Sequence, residues 1–461
     1  MKTKISILLL ISTIFLTSGF GCRYVSQEVK EKMKNVELNY WRVWDGPDVF
    51  NEIIAKYTQL HPFVKINYTK LRYEEFEEKL IEAFATDRAP DIFSIHNTWI
   101  KKYQDNRLIT PMPEFITMAY PVERGTLKKE IIPELRTTKS ITLKELKDKY
   151  FDVVYDDVVI KDKEKNQERI YGLPLFIDTL AMFYNRDLFN NAGITSPSEY
   201  WNRDFQQNVK KLTKQNNKGQ IIQSGIALGG AYNIERNTDI LSVLMMQNGT
   251  EMMEDGIVKF NQKLTGKDYN PGSDALRFYM DFANPAKEIY SWNKTLDNSI
   301  DMFVQNKLAM MFGYAYMLPD IRARAPKLNF GISKLPQIEG NSQIINFANY
   351  WTEVVSAKSK NADIAWDFVQ FITREEQAKN YTQKTQKPTA LRSLINGQLD
   401  DQNIGIFAEQ VLTAKSWYKG HDSKATELII QEMIDSVVSG QKEPEEAISF
   451  GVRKIQQTIK K

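Results

Sequence analysis

The side chains of this chain with the widest chemical reach are flat rings and acceptor groups placed where strands stop. In "NYWRVWDGPD", residues 39 to 48, an apolar strand runs up to Trp44 and turns at once through Asp45, Gly46 and Pro47. Tyr314 and Tyr316 follow the apolar run that ends at Gly313, Tyr350 and Trp351 open "NYWTEVVSAKS", and Trp417 stands in "AKSWYKG". Rings in such places are the parts of a carbohydrate site, because a sugar offers apolar C–H faces and a belt of hydroxyls. Covering about 50 Å² of ring face yields on the order of 1 kcal/mol per platform. Micromolar affinity, about 8 kcal/mol, therefore needs several platforms plus oriented hydrogen-bonding groups. The polar candidates are Asn97, Asp178 and Asn233. Asp178, between Ile177 and Thr179 in an apolar run, must find donors. Paired sugar hydroxyls would serve through charge-assisted bonds, and so would backbone amides. Asp45 has two roles open to it, at the ligand or as cap of the helix that follows. The ordinary fate of any one Trp or Tyr is a packed core, so only convergence of several in one place marks a site.

Other chemistry finds poorer material. His61, His96 and His421 are far apart, and Cys22 is the only cysteine, so no Cys/His metal spacing and no intramolecular disulfide exist. "ALGGAYN" lacks the lysine of a phosphate-binding loop. A glycosidase needs two carboxyls roughly 5 to 9.5 Å apart. Asp45, Asp178 and Glu353 supply carboxyls, but nothing in the sequence couples any pair. The expectation is a binding protein with no catalytic residue, metal or cofactor. A formal net charge of +3 over 461 residues argues against a nucleic-acid partner, which calls for a concentrated basic surface.

The elements that must position these groups follow from periodicity. Val36 to Val43 reads as a strand, and Asp48 to Leu60 sets Phe50, Ile53, Ile54 and Tyr57 on one helical face. A second strand alternates through Val64, Ile66 and Tyr68, a second helix spans Tyr73 to Ala85, and "PDIFSIHN" is a third strand. This β-α-β-α-β order predicts parallel strands with right-handed crossovers, and ligands of such sheets lie outside the strands' carboxyl ends. Trp44 and Asn97 stand there. Residues 111 to 170 break the rhythm with Pro111, Pro113, Pro121 and Pro133, and read as an inserted helical segment plus a hairpin between strands Phe151 to Ile160 and Ile170 to Leu175. "YGLPLFIDTLAMFYN" reads as one long strand.

The N-terminus has the layout of a secretory signal: Lys2 and Lys4, then apolar Ile5 to Leu16, then "TSGFGC". Cys22 there is similar to the lipobox cysteine of bacterial lipoproteins, although Gly19 departs from its usual aliphatic residue. Residues 22 to 35 then form a lipidated tether.

Five stretches in order resemble the extracellular solute-binding proteins of bacterial ABC importers, in the sugar-binding group that includes maltose-binding protein. They are "PDIFSIHNTWIKKYQDNRLITP", "YGLPLFIDTLAMFYNRDLFNNAGI", "FVQNKLAMMFGYAYM", "NYWTEVVSAKSKNADIAWDFVQFI" and "KPTALRSL". The resemblance implies an α/β fold of two lobes joined by hinge strands. Residues 36–178 plus 314–345 would form the N-terminal lobe, with the insertion at 111–170, and 179–313 plus 346–461 the C-terminal lobe. It implies an oligosaccharide held in the interlobe cleft, with Tyr316 and Trp417 as stacking residues in particular, and delivery to permease subunits by a monomer anchored through Cys22 on the outer face of the cytoplasmic membrane. A secreted carbohydrate-active enzyme, and a sensory or adhesive binding protein without a transporter, are the alternatives.

Overall fold

In the first quarter of the chain, apolar spacing becomes structure element by element. This computed structural model describes residues 33–124, 130–162, 166–264, 266 and 268–459. The expected leader, Cys22 and most of the tether lie outside the described residues. Strand Val36–Arg42 buries Leu38, Tyr40 and Arg42 at every second position. Helix Pro47–Leu60 buries Val49, Phe50, Ile53 and Tyr57, one apolar stripe, after starting with Pro47 in its first turn. Strand Val64–Lys70, helix Tyr73–Ala85 and strand Ile92–His96 complete the β-α-β-α-β unit. The sheet order is 64–70, 36–42, 92–96, 351–355, 173–174, with the first three parallel and the last two added antiparallel.

A second body is built on three antiparallel strands, Met310–Gly313, Ala181–Asn185 and Phe330–Ser333. Helix Asn237–Gln247 is buried along its whole length. Helices Ser423–Val438 and Pro444–Ile459 pack together beside it. Among the described residues no helix is long and apolar enough to cross a membrane.

Two separate hydrophobic cores define the lobes. One gathers apolar residues from 38 to 177 with 348 to 395, and the other those from 180 to 347 with 404 to 459, apart from Val411 and Ala414, which join the first. The boundaries differ from those the resemblance implies. Tyr314, Met317, Leu318, Ile321 and Leu335 bury in the second core, and Tyr350, Trp366, Phe368 and Tyr381 in the first. The cause is strand pairing: Trp351–Val355 adds to the first sheet, while 330–333 adds to the second.

Between the cores lies a small sheet made of the segments that cross. Asn346–Asn349 pairs antiparallel with Asp178–Thr179 and parallel with Ala414–Lys415. Here the long strand expected over 171–185 divides into Leu173–Pro174, Asp178–Thr179 and Ala181–Asn185, one piece for each sheet. An apolar run records burial on all sides but not which sheet supplies it.

The insertion differs from expectation in two ways. Asp152–Val158, within the expected strand Phe151 to Ile160, is helical, because Val153, Val154, Asp157 and Val158 fall on one buried face. Phe115–Arg124 and Glu130–Lys139 form a ten-pair hairpin in which Pro121 faces Pro133, which a two-stranded ribbon with free edges tolerates. The smaller hairpin is Val159–Asp162 with Gln167–Ile170.

Candidate ligand-binding site

The strand ends, the crossing segments and the start of helix Ser423–Val438 enclose one cavity of about 990 Å³. Trp44 stands two residues beyond strand Val36–Arg42 and directs its ring into this space, 47% exposed. Tyr73, the first residue of its helix, stacks on Trp44 with centroids 5.2 Å apart and planes 22° apart. From the other lobe Tyr316, also 47% exposed, meets Trp44 at 6.5 Å and 14°. Buried Tyr314 backs Tyr316 at 5.7 Å and 15°, and its hydroxyl donates to Asp239 at 2.6 Å. Four near-parallel rings therefore span the gap, and the two middle ones keep half their surface in the cavity. Trp351 forms a wall: it is 5% exposed and meets Trp44 edge-on at 6.1 Å and Trp99 at 5.5 Å.

The floor is polar and tied down. Asp45 accepts from Lys387 Nζ at 2.7 Å and from the Tyr381 hydroxyl at 2.7 Å, and lies 3.4 Å from the Arg42 guanidinium. Burial alone would raise its pKa, but Arg42 and Lys387 hold it below the ordinary aspartate value. Asp45 is not a helix cap, since the capping position is Gly46. Lys387 also sits 4.4 Å above the Phe176 ring. His96 is driven down to about 4 by burial and the nearby Arg236, so its ring is neutral. Its Nδ1 accepts from the Thr98 amide at 3.4 Å and lies 2.8 Å from the Thr98 hydroxyl, which leaves Nε2 to donate to Asn349 at 3.3 Å. At the rim, Trp99 Nε1 donates to Ser423 at 3.0 Å, and His421 meets Asp105 at 2.9 Å, both across the lobes.

Asp178 joins the two halves of the site. Its carboxylate accepts from the amides of Thr179 at 2.9 Å, Ala315 at 3.0 Å and Tyr316 at 3.1 Å. Of its two possible partners the structure supplies the backbone, and the bonds orient the turn that carries Tyr316. Burial drives its pKa up to about 7 against those three amides and Lys387. The folded value lies above the unfolded one, so the folded chain holds an extra proton between about pH 4 and 7. That contribution to stability is complete below about pH 4 and is lost as pH rises through 7, a change of at most about 4 kcal/mol. The expected signature is a side-chain carboxyl carbon titrating near neutrality in labelled protein and missing in Asp178→Asn. A spectrum in which every aspartate titrates near 4 would remove this account.

Of the residues singled out by sequence, the cavity brings together Trp44, Asp178, Tyr316 and Trp351, with Asp45, whose role the sequence left open, beside them. Five others do not line it. Asn233 donates to the carbonyls of Asn293 and Leu296 and accepts from Trp292 Nε1. Tyr314 and Tyr350 are fully buried, and Tyr350 donates to Asp157 at 2.8 Å. Asn97 donates to Asp157 at 2.9 Å, and Trp417 Nε1 donates to Ser242 at 3.1 Å, both beside a smaller recess. Lining residues that sequence reasoning missed include Tyr73, Lys387, Arg236 and His421. Tyr73 had a signal, since it follows the carboxyl end of strand Val64–Lys70 as Trp44 follows its own strand. The carboxylates weighed for catalysis are all committed: Asp45 and Asp178 as above, and Glu353 fully buried against Arg42. Among the described residues no group of three or more His, Cys, Asp or Glu side chains could hold a metal.

Residues 44–379 match the family model described as bacterial extracellular solute-binding protein. The galactooligosaccharide-binding protein of Bacillus subtilis (strain 168) is 21% identical over 97% of this chain and 95% of its own length. The maltooligosaccharide ABC transporter solute-binding lipoprotein of Streptococcus pneumoniae (strain ATCC BAA-255 / R6) is 23% identical over 63% of this chain and 66% of its own. Among solved structures, the cyclic α-maltosyl-1,6-maltose binding protein of Arthrobacter globiformis superimposes with a TM-score of 0.70 at 16% identity, covering 92% of this chain and 99% of that one.

Proposed function

The chain belongs to the bacterial extracellular solute-binding proteins, binding proteins and not enzymes, and from that membership we propose that it is the oligosaccharide-binding component of an ABC importer. The observation that carries the reading is the pair Trp44 and Tyr316, half-exposed and nearly parallel, reaching into one cavity of about 990 Å³ from opposite lobes. That volume is at the upper end of small-molecule sites, which run from about 300 to 1,000 Å³, so it suits several sugar rings better than one. Ring faces lie against Trp44, Tyr316 and Tyr73, while Asp45 and Lys387, held at fixed spacing, receive hydroxyls. The relatives named for galactooligosaccharide and maltooligosaccharide support the same class of ligand.

Function then follows from linkage. A sugar that touches both lobes binds the closed arrangement better than any open one, and so favours it by that difference in affinity. The closed form, with rim contacts such as Trp99 to Ser423 made, is the one offered to the permease. The chain acts as a monomer, and acylation of Cys22 with two or more chains tethers it to the outer face of the cytoplasmic membrane. A thermal-shift screen of purified protein against mono- and oligosaccharides tests the reading. A ligand at about 100 times its dissociation constant adds about 2.7 kcal/mol of stability. The expected result is a clear upward shift with one class of oligosaccharide and no turnover of it. Absence of a shift with every saccharide, or hydrolysis of the one that binds, would overturn the proposal.

A further inference from the structure

The second lobe presents Arg236 to the main cavity on a frame that fixes where it points. The residue holds a left-handed backbone, φ 55° and ψ 29°, just before helix Asn237–Gln247. Such a conformation is costly for an arginine, persists only where the surroundings over-determine it, and gathers at ligand clamps. Here the guanidinium supplies the restraint. Its Nε donates to Asp239 at 2.8 Å, and its Nη2 to Asp239 at 2.9 Å and to Glu427 at 3.3 Å. Asp239 is 8% exposed and also accepts from the Tyr314 hydroxyl, and Tyr314 backs Tyr316. One carboxylate therefore ties a hydrogen-bond donor and a stacking ring into a single frame. The Arg236 side chain keeps 22% of its surface, and its Nη1 has no hydrogen-bond partner among the described residues and, unlike Nη1 of Arg42, is not shut off from solvent. Glu427, with a side chain 46% exposed, lines the same cavity and meets Arg236 through Oε1, which leaves Oε2 to accept.

A donor and an acceptor side by side suit two adjacent sugar hydroxyls, one accepting from Nη1 and the other donating to Oε2. They suit an anion poorly. Arg236 already faces two carboxylates, Asp239 and Glu427. In the first lobe Lys387 is matched by Asp45, Lys102 by Glu77 and Lys384 by Glu52. The exposed part of the lining sets Arg322 and Lys424 against Glu74 and Asp422, so no net positive charge waits for an anion. Resting on the oligosaccharide reading above, we propose that Arg236 and Glu427 are the specificity-determining pair of the second lobe. They hold adjacent hydroxyls of a neutral sugar residue, and the ligand is an uncharged oligosaccharide whose uronate counterparts are refused. The ligand then bridges two matched ion pairs, Asp45 with Lys387 on one lobe and Glu427 with Arg236 on the other. A carboxylate in its place would lie against Glu427 and Asp239, and like charges so placed suppress a wrong ligand.

The test is calorimetric titration of the intact protein with neutral di- and trisaccharides of glucose, galactose and mannose, each beside an analogue in which one residue is a hexuronic acid. The expected result is that the tightest ligand is neutral and binds at least about tenfold more tightly than its uronate match. Glu427→Gln keeps the shape and removes one charge at a half-exposed position, so that ratio is expected to fall severalfold as the uronate gains. Arg236→Met is expected to weaken the neutral ligand about 10- to 100-fold, the loss of a bond to a charged group. A pair with a structural role alone would lower stability in urea and leave the ratio where it was. A uronate that binds as tightly as its neutral match, or a ratio unchanged in Glu427→Gln, overturns the role of the pair and leaves the oligosaccharide reading intact. A panel in which no saccharide binds overturns both.

Discussion

Trp44→Ala is expected to raise the dissociation constant for the best-binding oligosaccharide about 30-fold, and Tyr316→Ala about tenfold, with folding stability changed by less than about 1 kcal/mol in each. Both rings are half-exposed, so their removal opens no cavity in a core, and the loss falls on the ligand. Tryptophan offers the larger face. It also makes near-parallel contacts with both Tyr73 and Tyr316. Because the two rings touch across the lobes, the double variant is expected to lose less than the sum of the singles, a coupling that separate platforms would not show. Calorimetric titration measures the affinities and urea unfolding the stabilities. If both single variants bound as the parent does, the ligand would lie elsewhere and the interlobe cavity would lose its assignment.

Why Trp44 could be read from sequence and Lys387 could not comes down to the range of the information each carries. Trp44 follows a strand whose alternation is visible within seven residues, and the rule that parallel sheets bind beyond their carboxyl ends needs only that local pattern. Tyr316 follows Gly313 in the same way, although its strand is antiparallel. Lys387 reaches the cavity because helix Glu375–Thr385 packs in the first lobe and ends beside it, and its partner Asp45 is 342 residues away. No local periodicity encodes that meeting. Trp417 shows the opposite failure. The resemblance implied a stacking role at the ligand, but 175 residues away Ser242 offers an acceptor to its indole nitrogen, and the ring is 8% exposed beside Phe260. The lobe boundaries escaped for a related reason. Strands 330–333 and 351–355 are close in sequence, yet they join different sheets, a choice made by edges that distant segments leave open.

Glu353→Ala is expected to cost about 3 to 5 kcal/mol of stability, the range for breaking one side of a buried ion pair. Glu353 is fully buried on strand Trp351–Val355, its Oε1 is 3.3 Å from Arg42 Nη2, and its Oε2 accepts from the Tyr40 hydroxyl at 2.7 Å. Arg42 is 2% exposed, with its Nη1 already lacking a hydrogen-bond partner. Without Glu353 the two cations Arg42 and Lys387 share only Asp45, and one positive charge stays buried without compensation. Asp45 and Lys387 line the ligand cavity and are held from behind by buried Arg42 and Glu353, so the variant is expected to bind more weakly as well. Arg42→Met combined with Glu353→Leu separates the two effects, because replacing a whole buried pair by apolar groups of similar volume is often neutral or stabilising. The double variant is expected to regain most of the stability measured by urea unfolding while its sugar affinity stays low, since Asp45 then answers to Lys387 and Tyr381 alone. Parental affinity in the double variant would mean that the buried charges do nothing for the ligand. A loss below about 1 kcal/mol in Glu353→Ala would mean that solvent reaches Arg42, and that the cavity floor is less rigid than its bonds imply.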